Sequence, residues 1–296
     1  MVNVLILGSS VAAGQGALKS GWVARWAQAS KSASSSKTNK HPMATLFTDL
    51  ISPPSQRPLK IVNHAVGGTT ADYWLQAVRE HAFSSSNNAT SIYQNVDCIV
   101  LSLSAANEGL SLAQRPEDLR LVEEGFVAQM QQLISFFAKQ AEEVRPEDKQ
   151  REEAKPKVLI IGGPYPNDSY LANVHLPVLL RIRDRLREAC KDIEFRTQSK
   201  PSKSGESSFR IVFIDFLRPD FPLHDGKGCW GTGLACDPSH PNDKGHEIMW
   251  DIFRKTILEE IENGQSRTST FDQNHGASSC ARRSVLFPIE KTLQNH

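Results

Sequence analysis

"VLILGSSVAAGQGA", residues 4–17, is the stretch on which the reading of the whole chain turns. An apolar run stops at Gly8-Ser9-Ser10 and opens into a Gly-rich segment. Three readings compete: a phosphate-cradling loop, a strand-to-helix turn with Ser10 as helix N-cap, or the seat of a nucleophile. A Walker loop requires Gly-Lys-Ser/Thr, and no Lys stands here; Gly8, Gly14 and Gly16 do not have G-x-G-x-x-G spacing. Nucleotide binding is therefore set aside. For Ser10 taken alone, the capping reading stays open.

The rest of the chain repeats the motif of a short apolar run ending in small residues. Residues 2–7, 60–63, 98–103, 157–161 and 210–214 read as buried strands. Between and after them, residues 42–50, 70–81, 116–140, 176–190 and 245–261 read as helices. The longest carries Leu119, Val122, Phe126, Met130, Leu133 and Phe137 at helical spacing. Alternating strands and helices predict an α/β fold, a three-layer α/β/α sandwich on a central five-stranded parallel sheet. The main domain is expected over residues 1–262, with an irregular or weakly packed tail over 263–296. Segments 30–40, 82–91 and 139–157 are polar or charged and read as insertions.

The 296 residues suffice for a sizeable core. With 39% hydrophobic and 23% charged residues, the composition is that of an ordinary globular chain. The net charge of +1 gives no electrostatic case for a nucleic-acid or anionic-membrane partner. No apolar run approaches the roughly 20 residues of a membrane span. The N-terminus lacks the basic region and cleavage site of a signal peptide, so a cytoplasmic location is expected. The five Cys are too scattered for a disulfide scaffold, although Cys229 and Cys236 flank a Gly-rich loop and could pair. No Cys/His set has zinc spacing, and neither a metal nor a cofactor is expected.

Ligands of open α/β sheets bind outside the carboxyl ends of the strands. Ser9 and Ser10 follow the first strand there, and Asn63 and Gly67-Gly68 the second. Asn107 and Glu108 follow the third, "GGPYPND" the fourth, and "CDPSHPNDKGH" lies beyond the fifth. A hydroxyl, a histidine with a nearby carboxylate, and uncharged donors form an inventory suited to acyl transfer. Each residue also has a plainer reading. Asp237 could make only an Asx-turn, His240 a cap, and Asn107 a local backbone bond. His246 with Asp243 is a rival base that reads more as packing. Asn88-Ala89-Thr90 and Asn167-Asp168-Ser169 match the glycosylation sequon by chance.

Four of these blocks, in this order, resemble the SGNH hydrolase superfamily, the GDSL esterases and lipases. Gly8-Ser9-Ser10 resembles its Gly-Asp-Ser block, Asn63 to Gly68 its Asn-x-x-x-x-Gly block, and Asn107 the Asn of its third. Asp237 to His240 resembles its Asp-x-x-His block. The resemblance implies a flavodoxin-like fold, Ser10 as nucleophile, and His240 and Asp237 as base and orienting acid. It also implies an oxyanion hole from Ser10, Gly68 and Asn107, with no cofactor. Ser9 stands in place of the usual Asp, Ser104-Ala105-Ala106 in place of the usual Gly, and Glu108 in place of another Asp. These departures bear on the substrate more than on the mechanism. Ser9, Glu108, Tyr165 and Trp230 are the candidate substrate contacts. The expected activity is hydrolysis of a short-chain ester, with an O-acetyl carbohydrate as one candidate substrate. An acyltransferase and a non-catalytic binding module are the alternatives, and the oligomeric state is left open.

Overall fold

The computed structural model describes residues 2–15, 46–50, 59–83, 96–142, 156–199, 209–221 and 223–270. Asn88 and the segment 30–40 lie outside these residues.

Gly8, Ser102, Gly162 and Ile214 stand in register, one row across the sheet. This row is the edge from which the loops rise. The strands are β1 (Val2–Gly8), β2 (Leu46–Leu50), β3 (Leu59–Asn63), β4 (Cys98–Ser102), β5 (Val158–Gly162) and β6 (Arg210–Ile214). The helices are α1 (Ala71–Phe83), α2 (Pro116–Glu142), α3 (His175–Gln198) and α4 (Asp243–Thr270). The sheet order is β2-β3-β1-β4-β5-β6. Five strands are parallel, as their sequences predict, and β2 pairs antiparallel with β3 at one edge. Residues 46–50 are thus a strand and not the helix read from sequence. A short apolar run does not separate the two states, and the ladder with β3 decides.

Both faces of the sheet are covered, which explains why its strands read as unbroken apolar runs. Leu5, Leu7, Ile99, Leu101, Leu159 and Ile161 face a core built by α1, α2 and α3. Val4, Ile6, Val100 and Ile160 face Met249, Phe253, Ile257 and Ile261 of α4. Phe253 is fully buried, 5.6 Å from the Phe216 ring in an edge-on contact. Truncating it leaves a cavity against β5; Phe253→Ala is expected to cost about 3–5 kcal/mol, measured by urea unfolding.

Two helices outrun their sequence signals. The last turns of α3 are held by Glu194, whose carboxylate accepts the Ile211 N–H at 3.2 Å. Helix α4 continues through Thr270, so the segment past Gly264 begins as helix and not as irregular tail. Among the described residues, no helix is long and apolar enough to cross a membrane.

Candidate active site

The first loop is shaped by a glycine that admits no side chain. A Cβ on Gly8 would lie 2.3 Å from the Ser102 carbonyl oxygen and 2.6 Å from the Ala12 Cβ. Beyond it, the Ser9 N–H donates to the Ser102 carbonyl (3.1 Å), extending the β1–β4 pairing by one residue. The chain then coils. The Ala13 N–H donates to the Ser9 carbonyl (2.9 Å) and the Gln15 N–H to the Ser10 carbonyl (3.0 Å). Ser10 sits at the start of this turn at the end of β1. Ser9 is wholly buried, so its sequence-based role as a substrate contact is corrected.

Asn63 fastens the second loop to the first. Its Nδ2 donates to the Ala12 carbonyl (3.0 Å), and its Oδ1 accepts the Ala65 N–H (2.9 Å). This brings Gly67 against the Ser10 turn, where a Cβ on Gly67 would lie 3.8 Å from the Ser10 Cβ. Gly68 follows with φ +76°, a conformation side chains disfavour. Trp74 fixes this loop from below, its indole N–H directed at both the Gly8 carbonyl (3.1 Å) and Thr69 Oγ1 (3.0 Å).

Asn107 lies in a 3-10 turn, Ala105–Glu108, capped by Ser104 and closed by Gly109. Its Nδ2 donates one hydrogen to the Thr69 carbonyl (3.0 Å), tying the third loop to the second. Glu108 turns the other way. Its Oε1 accepts the Ala71 N–H at 2.7 Å and caps α1, so it is a helix cap and not the substrate contact read from sequence. Burial pushes its carboxyl pKa up, against the lowering effect of that hydrogen bond. A raised folded pKa means its charge opposes folding as pH rises from the unfolded value, about 4.3, through the folded one. Glu108→Gln keeps the acceptor without the charge and is expected to weaken the dependence of Tm on pH over that window.

The last loop carries a preformed pair. Asp237 Oδ1 accepts the N–H groups of Ser239 (2.8 Å) and His240 (2.9 Å). Both Asp237 oxygens lie 2.9 Å from His240 Nδ1. Burial acts to raise the Asp237 pKa, but its hydrogen bonds with the His240 ring and the Ser239 N–H outweigh it, and the net shift is downward. An ionised Asp237 makes Nδ1 the protonated nitrogen and leaves the lone pair on Nε2. Beyond the pair, Asn242 caps α4, its Oδ1 accepting from Lys244 (3.0 Å) and Gly245 (3.1 Å). His246, the rival base, is fully buried and its Nε2 donates to the Gln15 carbonyl at 2.9 Å. Burial lowers its pKa, and the bond to Gln15 clamps α4 to the Ser10 turn.

Two aromatic expectations are corrected. Tyr165 stacks on Phe216 at 5.1 Å within the core, and Trp230 is 4% exposed in the same cluster. Neither ring faces outward as a substrate contact. Cys229 and Cys236 are free thiols, not a disulfide. Cys229 Sγ approaches the Tyr170 carbonyl at 3.7 Å and Cys236 Sγ the His240 carbonyl at 3.5 Å. Among the described residues, no group of three or more His, Cys, Asp or Glu is placed to hold a metal.

Sequence reasoning missed the contacts of Asn167 and His175, whereas its packing reading of His246 agrees with the burial of that ring. Asn167 is 2% exposed with its amide engaged, in keeping with a chance match to the glycosylation sequon. His175 is also buried. Its Nδ1 accepts the Leu171 N–H (2.7 Å) and its Nε2 donates to the Ala113 carbonyl (2.8 Å).

No protein-family model matches the chain, and no curated protein matches it. Solved structures do resemble it. An acetylxylan esterase from Geobacillus stearothermophilus is 16% identical, covering 88% of this chain and 94% of its own, with a TM-score of 0.45. A member of the lipolytic protein G-D-S-L family from Veillonella parvula is 15% identical over 84% and 94%, with a TM-score of 0.44. An alpha/beta hydrolase from the Lake Arreo metagenome is 17% identical over 85% and 93%, also at 0.44. A likeness at this level carries nothing about the site or the substrate.

Proposed function

We propose that this chain is a serine esterase of the SGNH type, hydrolysing short-chain carboxylic esters through an acyl-enzyme on Ser10. The observation that carries the reading is the Asp237–His240 pair, joined at 2.9 Å through Nδ1, just before the helix whose His246 bonds the Gln15 carbonyl of the Ser10 turn. A histidine oriented by a carboxylate has one nitrogen left for a substrate-side proton, which is the arrangement of a general base.

The steps follow from those roles. Ser10 Oγ attacks the ester carbonyl carbon while its proton passes to His240 Nε2. The carbonyl oxygen becomes an oxyanion, held by the N–H groups of Ser10 and Gly68 and by the second amide hydrogen of Asn107. The C–O bond to the leaving alcohol breaks, and His240 returns the proton to that oxygen. Water then attacks the acyl-Ser10 carbon, His240 takes its proton and passes it to Ser10 Oγ, and the carboxylic acid departs. Asp237 stabilises the imidazolium in both halves.

The fixed orientation of Asn107 makes it the side-chain donor to remove. Asn107→Ala is expected to lower kcat about 10²–10³-fold on p-nitrophenyl acetate, with KM nearly unchanged. The acyl group is expected to be small, since among the described residues Tyr165 and Trp230 are packed into the core and line no apolar channel for a long chain. An O-acetylated sugar is a candidate substrate of this size. Labelling with a fluorophosphonate probe tests the nucleophile: mass spectrometry should place the adduct on the peptide holding Ser10. An adduct at another residue would contradict the assignment.

A further inference from the structure

Building on the serine-esterase reading, we propose that Asn167 is a positioning residue that fixes His240 relative to Ser10. The hydrogen bonds between Asp237 and His240 lie within one loop. They orient one ring against one carboxylate, but they do not place the pair against a different loop. That placement has to come from outside the segment.

The loop between β5 and α3 supplies it. The Asn167 N–H donates to the Gly228 carbonyl (3.0 Å), and its Nδ2 donates to Ser239 Oγ (3.2 Å). The Asp168 N–H donates to the Pro238 carbonyl (2.6 Å), and its Oδ1 accepts the Trp230 N–H (2.8 Å). Pro238 and Ser239 are the two residues between Asp237 and His240. The same Ser239 gives its N–H to Asp237 Oδ1 (2.8 Å), so a shift of Ser239 moves the carboxylate as well. The opposite side of Asn167 is locked, its Oδ1 accepting both the N–H and the Oγ–H of Ser169. An amide alone offers a donor and an acceptor on one planar group, and a buried one left half-satisfied is costly. The loop itself is braced by His175 between Leu171 and Ala113, so Asn167 is mounted on a rigid support.

The experiment is a double-mutant cycle on the full chain with p-nitrophenyl acetate. Misplacement of a catalytic group by about 1 Å costs up to ~10²-fold, so Asn167→Ala and Ser239→Ala are each expected to lower kcat about tenfold with KM within twofold. The double variant should fall no further than the worse single one, since both remove one contact. In a His240→Ala background neither should lower the residual rate. Ser239→Thr, which keeps the hydroxyl acceptor, should restore kcat to within about threefold. If Asn167→Ala does not fold, Ser239→Ala and Ser239→Thr decide, because Ser239 is only partly buried. Wild-type kcat in Ser239→Ala, or an equal loss in the His240→Ala background, would overturn the proposal. Wild-type activity in His240→Ala itself would instead overturn the esterase reading on which it rests.

Discussion

Replacing His240 with Ala is expected to lower kcat for ester hydrolysis by about 10⁴–10⁶-fold while leaving the fold intact. The size of the effect follows from how many steps use the ring. In the proposed mechanism His240 takes the Ser10 proton, returns it to the leaving alcohol, takes one from water and returns that one to Ser10. Without it, a serine hydroxyl near neutral pH is a weak nucleophile. The loss should not grow when Ser10→Ala is added, because the two groups act as one unit. Asp237→Ala should cost less than His240→Ala. The Asp237 side chain is 47% exposed, so part of its charge interaction with the ring is already screened by water. Steady-state kinetics on all three variants, beside their thermal unfolding, separates this pattern from a general loss of structure.

A large effect on stability is also expected from Gly8→Ala. The added Cβ would meet the Ser102 carbonyl oxygen at 2.3 Å, and that carbonyl already accepts the Ser9 N–H in the β1–β4 ladder. Neither side can yield without breaking pairing in the centre of the sheet. Overpacking a core costs about 1–3 kcal/mol when side chains can move, and a backbone clash belongs at or above the top of that range. Gly125 in α2 is the control, since a Cβ there would meet nothing within 4 Å. Gly125 is exposed, so Gly125→Ala should stabilise by about 1 kcal/mol through helix propensity. Urea unfolding of the two variants compares a closed position with an open one. Because Gly8 precedes the Ser10 turn, any Gly8→Ala protein that folds should also lose activity.

The parts of this architecture that could be read from sequence are those written in local pattern. Buried parallel strands are continuous apolar runs, and the small residues that end them mark the sheet edge, so β1, β3, β4, β5 and β6 were legible. Ser10, Asn107, Asp237 and His240 could be picked out as candidates because each follows such a run or sits in a short spaced motif. Residues 46–50 were not legible, since only pairing with β3 makes them a strand. Tyr165 and Trp230 misled because nearness in sequence to the edge does not tell which way a ring points. Glu108 misled for a related reason: its partner, the Ala71 N–H, lies 37 residues away. The contacts that Asn167 and His246 make carried no local signal. Their partners Ser239 and Gln15 are 72 and 231 residues distant, and only the folded chain brings them together.

The central claim is that Ser10 is the nucleophile of an esterase selective for small acyl groups. It is tested most directly by hydrolysis of a p-nitrophenyl ester series, acetyl to palmitoyl, by wild type and Ser10→Ala in parallel. The account predicts turnover that is highest on acetyl, falls with chain length, and disappears in a folded Ser10→Ala protein. Turnover retained in that variant, or no turnover of any ester by folded wild type, would contradict it.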